Sequence, residues 1–473
     1  MKYFHSWALA TALCAVTLLL TVNSCTDEIV DPPPTDTLSL YLKFIEGSQQ
    51  RVGNPELGLD YLKYGDIVDH GVPIDLYSLA FGNGDGNLLN RDGDNAQVSY
   101  NYTALNAPNG VRVVSPNCLS CHAQTLNGQL IVGLGNSVAD FTTNAGGLIP
   151  IIDALVTSNY GANSPEWDAY FPFRRGSLAI GPNIVTEKQG VNVADNLAAI
   201  LAAHRNPATL EWSEQQLLNY PDKVIPVDVP AWWLLRKKNS MFWTALGRGD
   251  YAKVSMASSM LTMRDTTKAR QVNEHFGDVM AYLNTIEPPA YPQTIDQNLV
   301  TQGKTIFAQN CQRCHGSYGV NETYPNLLVS LDIVKTDSVL ANEFFELDEF
   351  VEWYNQSWFN TEPFPAQLVA ERGYIAPPLD GIWATAPYLH NASVPTLDDL
   401  LNSVQRPTYW ERSFVTDDID YQKVGWNYET RNAGGTKTIY DTTLPGYGNQ
   451  GHTFGDKLSD EERIALIEYL KTL

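Results

Sequence analysis

Two short stretches, "CLSCH" at 118–122 and "CQRCH" at 311–315, constrain this chain more than anything else in its 473 residues. In the order C-x-x-C-H, two thiols stand about one helical turn apart and a histidine follows directly. That order suits covalent attachment of a haem, the thiols adding to its two vinyl groups and the histidine binding the iron. The cysteine inventory points the same way. Cys14 lies inside an apolar leader, Cys25 ends it, and the other four of the six cysteines all fall in the two motifs. Disulfides would leave a histidine after each pair without a reason. A four-cysteine zinc site does not tolerate so long a separation between its halves. The expectation is two c-type haems, attached at Cys118 and Cys121 and at Cys311 and Cys314, with His122 and His315 on the irons.

The first residues, "MKYFHSWALATALCAVTLLLTVNSC", have a basic start at Lys2, an apolar run from Trp7 to Val22, and Ser24 before Cys25. This pattern reads as a secretion signal over 1–25. Its "VNSC" ending resembles the lipobox of bacterial lipoproteins, which makes Cys25 the expected lipid anchor. "TDEIVDPPPTDT" then reads as a proline-stiffened tether over 26–38. No later apolar run is long enough to span a bilayer. The expected location is periplasmic or cell-surface, with membrane attachment by lipid alone. A formal charge of −22 argues against nucleic acid, whose phosphates it would repel.

Past the tether, the stretch beginning "LSLYLKFIEGS" reads as helix and turn. Asn83, Asp85 and Asn87 lie in a turn-rich segment that could hold calcium, but it lacks the glycine and distal glutamate of an EF-hand loop, which weighs against that ion. Residues 97–117 read as an extended pair around "PNG". "NVADNLAAILAAH" is a helix with Asn192 as candidate cap and His204 at its end, and "QVNEHFGDVMAYLNTIE" is another. The prolines of "EPPAYP" mark a linker at 287–296 between a part spanning 39–286 and a part spanning 297–473. The last helix shows Ser459 and Glu462 at capping-box spacing, with Ile464, Ile467 and Leu470 as its apolar face.

An iron held by one histidine has a second face. The six methionines are Met1, Met241, Met256, Met260, Met263 and Met280, so no methionine is available after Met280. For the second haem only His390 and His452 remain downstream as conventional ligands. For the first haem, His204, His275 and the three methionines at 256–263 are within conceivable reach, but at helical spacing such residues are more often core. The reading is a first haem whose second face is open. Trp232, Trp233, Phe242 and Trp243 in "PAWWLLRKKNSMFW" are candidates to wall its pocket or shorten an electron path, and Arg236, Lys237 and Lys238 to meet propionates. Ordinary core packing explains the same aromatics. No catalytic side chain is assigned.

"YIAPPLDGIWATAPYLHNASVPTLDDLL" and "GHTFGDKLSDEERIALIEYLKTL", with the surroundings of the first motif, resemble the bacterial di-haem cytochrome c peroxidase superfamily, closest to its rubber-oxygenase-like branch. The resemblance implies a mainly α fold of two cytochrome-c-like haem domains with long loop insertions and a few short β hairpins. It also implies a reacting N-terminal haem and a C-terminal haem that passes electrons. The position of His390 in "APY-x-H" implies a haem-edge residue, and that of His452 the sixth ligand; the reverse assignment is the alternative. Peroxide reduction, with electrons from a donor cytochrome or similar redox protein, is the leading reading. Dioxygen-dependent cleavage of an apolar unsaturated compound is the second, and a non-enzymatic carrier with both irons six-coordinate is the third.

Overall fold

In the computed structural model, which describes residues 41–82, 84–415 and 418–473, local signals build the platform around the first motif. Cys25, the leader and the tether lie outside the described residues. Strand β1 (Leu42–Phe44) precedes helix α1 (Pro55–Tyr64), whose start is capped by the Asn54 side chain accepting from the amides of Glu56 and Leu57. The stretch read as helix and turn is thus strand first, because residues 42–44 pair with residues 327–330, a partner no local pattern discloses. Strands β2 (Val72–Pro73), β3 (Tyr102–Asn106) and β4 (Arg112–Pro116) form a sheet ordered β2–β4–β3. Here β3 and β4 are the expected extended pair around "PNG".

The first motif follows β4 at once, as the short helix α2 (Leu119–His122). A hairpin of β5 (Ala123–Leu126) and β6 (Gln129–Val132) comes next, turning on Asn127 and Gly128 with φ of 52° and 70°. Two successive positive φ values are what a two-residue hairpin turn needs, and Asn-Gly supplies them at low cost. Helix α3 (Ala194–Ala203) begins after Val193, so Asn192 is not its cap; the Asn192 side chain is used elsewhere, as shown below. Helix α4 (Thr266–Leu283) packs on α1.

After the proline stretch, helix α5 (Gln297–Asn310) runs into α6 (Gln312–His315), which carries the second motif. Strand β7 (Leu327–Ser330) and helices α7 (Val339–Glu346) and α8 (Asp348–Gln356) follow, and β8 (Gly373–Ile375) joins β1 and β7 in the order β1–β7–β8. Strands β9 (Tyr409–Arg412), β10 (Tyr428–Thr430) and β11 (Ile439–Asp441) form a further three-stranded sheet, with β9 in the middle. Helix α9 (Asp460–Leu470) closes the chain and crosses α5 at Gly303, where an added Cβ would lie 1.9 Å from the Ala465 carbonyl oxygen. Only glycine permits so close an approach.

Ser459 and Glu462 form the expected capping box on α9. Ser459→Ala is expected to lower stability by about 1 kcal/mol in denaturant unfolding. The apolar face differs from expectation: Ile467 and Leu470 are buried, but Ile464 is 54 % exposed. A step of three residues falls 60° short of a full turn, so the three isoleucine and leucine positions fan out rather than align.

The fold is therefore mixed, helices alternating with several small sheets, rather than mainly α. Residues 41–473 pack as one unit. The larger core runs from Tyr61 to Ala376 and the second from Leu126 to Leu470. Both mix side chains from either side of 287–296, so no gap in packing marks that stretch. The Trp383 indole also donates to the Pro289 carbonyl.

Candidate functional site

At the first motif, helix α2 is shaped by hydrogen bonds around Asn117. Its Oδ1 accepts from the Leu119 amide at 2.9 Å and its Nδ2 donates to the Tyr100 carbonyl and Thr103 Oγ1. The His122 amide closes the turn on the Cys118 carbonyl. Cys118 and Cys121 are free thiols, and Asn192 Nδ2 lies 3.3 Å from Cys121 Sγ. Burial pushes the Cys118 thiol up to about 11. The His122 ring stacks on Trp232, centres 4.5 Å apart and planes 19° from parallel. Its Nδ1 is buried without a hydrogen-bond partner. Burial lowers the pKa of this imidazole to about 4, which keeps it neutral, the form that can bind a metal.

At the second motif, the His315 amide bonds the Cys311 carbonyl, and Gly316 at φ 82° ends the turn. Cys311 and Cys314 are also free thiols, the first pushed up to about 12 by burial. His315 Nδ1 donates to the Pro377 carbonyl at 2.8 Å, which leaves Nε2 as the nitrogen with a free lone pair. A carbonyl bond of this kind is how a metal-bound histidine is usually held in orientation.

The ring opposite His315 is His452. The two ring centres are 6.3 Å apart, at an interplanar angle of 63°. With a metal–nitrogen bond of about 2 Å and roughly 1 Å from nitrogen to ring centre, two imidazoles sharing one metal have centres about 6 Å apart. The pair fits one iron between them. Burial, then the charges of His315 and Arg406, lowers the His452 pKa to about 3. Its Nδ1 is also buried without a partner.

The loop carrying His452 is held by backbone geometry and one cation. His452 itself has φ 45°, and its amide donates to the Val334 carbonyl. Gly451 is packed so tightly that a Cβ would come within 2.2 Å of the Lys335 carbonyl carbon. Arg406 donates to the carbonyls of Gly451 and His452, and to those of Asn449, Leu400 and Asp399. Nothing local in the sequence separates Arg406 from an ordinary surface arginine.

His390 goes elsewhere. Its ring stacks on Tyr374 at 4.0 Å, its carbonyl accepts from the Asp228 amide, and its Nε2 is buried and unpartnered. Burial lowers its pKa to about 3. The four aromatics divide their roles. Trp232 packs on His122, while Trp233 is fully buried in the second core and donates to the Asp380 carbonyl, three residues past Pro377. Trp243 donates to the Asp228 carbonyl, and Phe242 adopts φ 68°, a strained value for a bulky residue.

Of the basic run, Arg236 pairs with Glu287, and Lys237 with Glu322 and Asp380, so both are already neutralised. Lys238 is buried, and burial lowers its pKa to about 8. His204 bonds Tyr220 and the Ser213 carbonyl and stacks on Trp212, His275 stacks on Tyr61, and Met256, Met260 and Met263 are core. Asp85 spends its carboxylate on the amides of Asn87, Leu88 and Tyr100, and Asn83 lies outside the described residues. No described helix is long and apolar enough to cross a membrane.

A family model described as RoxA-like, cytochrome c-like matches residues 373–411, the span that holds Pro377 and His390. Two curated relatives are uncharacterized proteins of Sinorhizobium fredii. One, y4iJ, is 32% identical over 256 residues, 40% of this chain and 41% of its own length. The other, y4iM, is 28% identical over 289 residues, 52% of this chain and 64% of its own. The chain thus spans less than two thirds of either relative. Over residues 373–411 the chain is similar to RoxA-like cytochromes c, a likeness that suggests a haem cofactor.

Proposed function

We propose that this chain is an exported di-haem c-type oxidoreductase that reduces peroxide at its first haem and passes electrons through its second. The observation that carries the reading is the 6.3 Å facing of His315 and His452. Two imidazoles on one iron make a low-potential, saturated centre suited to electron transfer and closed to substrate. Cys311 and Cys314 would hold that haem, and Cys118, Cys121 and His122 the first.

When bound, the haems supply redox chemistry. The chain's own residues orient and insulate. Pro377 fixes the tautomer of His315, and Arg406 holds the loop of His452. Trp232 packs against His122, and adjacent Trp233 reaches the carbonyl of Asp380 beside the Pro377 segment. Two consecutive indoles therefore bridge from one motif towards the other, a path of polarisable groups. Among the described residues, no second histidine ring pairs with His122 as His452 pairs with His315, which supports an open face at the first haem.

A second reading keeps that open face and changes the oxidant to dioxygen. The RoxA-like match favours it, as does the Trp232 indole stacked on His122. The deciding test is turnover by the purified holoprotein. Hydrogen peroxide consumption with a reduced cytochrome or dye, well above free haem, is the expected result. Dioxygen uptake with carbonyl products from a polyisoprene, and no peroxide turnover, would replace it with the second reading.

A further inference from the structure

Among the described residues, no acid pairs with the cation that ends strand β9. Arg412 is 6 % exposed, and burial lowers its pKa to about 9, so the guanidinium stays charged at neutral pH. Its Nη2 donates to the Ser137 carbonyl, while Nη1 is buried without a hydrogen-bond partner. The group lies over the Trp426 ring at 4.2 Å and over the Phe414 ring at 4.7 Å. Ring faces attract a cation without neutralising it. The acids of the neighbouring segments are taken: Glu411 pairs with Arg431, and Asp140 with Lys437. Lys188, a second buried cation nearby in the fold, donates to the carbonyls of Gly434 and Thr436.

Arg412 lines a pocket whose walls include Gln189, Pro387, Ala392, Trp410, Phe414 and Tyr440. The other side-chain donors in those walls are spent. The Tyr440 hydroxyl donates to the Asn391 carbonyl, the Trp410 indole to the Ser393 carbonyl, and the Gln189 amide to the Val138 carbonyl. The pocket also has a fixed place. Ser137, which holds the guanidinium, follows Asn136, whose amide donates to the Cys121 carbonyl at 2.8 Å. From the other side, a Cβ on Gly190 would come within 3.1 Å of Arg412 Nη2. Asn192, two residues on, sets its Nδ2 3.3 Å from Cys121 Sγ, and two residues span at most about 7 Å. The unneutralised cation therefore stands beside the first motif.

We propose that Arg412 and its pocket form a carboxylate-binding site at the first motif. A charge buried without a partner is costly, and the planar fork of a guanidinium matches a carboxylate. One guanidinium in an aromatic wall suits a monoanion rather than a phosphate. The rings of Trp410, Phe414 and Tyr440 suit a short hydrocarbon chain behind the carboxylate. Two sources carry this chemistry. One is a propionate of the haem that Cys118, Cys121 and His122 would hold, and that source rests on the di-haem reading. The other is a free short-chain carboxylate, which does not depend on it.

The test uses the holoprotein as wild type and as Arg412→Met, Arg412→Lys and Gln189→Glu. Melting temperature is followed against sodium butyrate, with sodium chloride at equal ionic strength as reference. The reduction potential of each haem is measured by spectroelectrochemical titration. If the site takes a free carboxylate, butyrate should raise the wild-type melting temperature saturably, and Arg412→Met should abolish the response. If a haem propionate fills it, butyrate has no effect, and Arg412→Met should lower the potential of the first haem. Losing a cation there favours the ferric form. The expected change is about tenfold in the ferrous-to-ferric equilibrium, about 59 mV for one electron, with the second haem unchanged. Arg412→Lys keeps the charge and should recover most of that potential, which a merely structural arginine would not show.

Gln189→Glu keeps the arginine and adds a carboxylate to the pocket wall, so it reads the site even where Arg412→Met does not fold. With a free carboxylate as ligand, it should raise the melting temperature and remove the butyrate response. With a haem propionate there, it should lower the potential of the first haem. A wild-type protein indifferent to butyrate, with both haem potentials unchanged in every variant that folds, would overturn the proposal. A butyrate response in a protein that holds no haem at the first motif would uphold the site and sink the di-haem reading instead.

Discussion

In the His452→Ala protein, one of the two haems is expected to change from low spin to high spin, while His390→Ala leaves both spin states as in the wild type. The contrast follows from where the structure puts the two histidines. His452 faces His315 at 6.3 Å between ring centres. His390 is packed flat on Tyr374. If His315 and His452 hold one iron between them, removing His452 would leave that iron with a single histidine nitrogen from the protein. The expected signs are loss of the low-spin signal of that haem in EPR, a shifted optical band, and a raised reduction potential. Electron delivery to the first haem should slow, while cyanide binding there stays the same. High spin produced by His390→Ala instead would reverse the two assignments.

Arg406→Leu should be the more damaging change to the fold around that site. The guanidinium makes five hydrogen bonds to carbonyls of two segments, including those of Gly451 and His452. Burial lowers its pKa to about 10, so it stays charged at neutral pH, and charge-assisted bonds of this kind are worth more than neutral ones. Leucine keeps part of the packing and leaves those oxygens unpaired. Because the site is half-buried, water can reach some of them, and the expected loss is roughly 3 kcal/mol in denaturant unfolding. The His452 loop should loosen first, visible as a mixed-spin second haem before global unfolding. Arg406→Lys restores charge but not the fork of donors, so it should recover only a minor part. A loss under about 1 kcal/mol would mean that the loop is held by its backbone alone.

The parts of this molecule that were legible in the sequence are those whose cause is local. The C-x-x-C-H order, the β3–β4 pair around its turn, and the Ser459–Glu462 box all act within a few residues. The Asn127–Gly128 hairpin was equally local, and its signal was present between two short apolar runs. Other features depend on partners hundreds of residues away. Strand β1 exists because Leu42 meets Val329, and three residues carry too little periodicity to show it. Asn192 looked like a helix cap but serves Cys121 instead, since a tertiary contact outweighs a cap worth about 1 kcal/mol. The clamp of Arg406 joins separate segments, with no spacing rule to reveal it. The single proline-rich stretch suggested two separate bodies, but both cores draw from each side of it. Domain boundaries are set by where side chains pack, and prolines mark only where the chain bends.

The measurement that bears most directly on the account is low-temperature EPR of the oxidised, purified protein, taken with its content of covalently bound haem. Two covalent haems per chain are predicted, with one low-spin signal from the His315–His452 iron and one high-spin signal from the iron at His122. Two low-spin signals would contradict an open first haem and leave an electron carrier, or an enzyme that must first be reduced. Two high-spin signals would contradict His452 as a ligand.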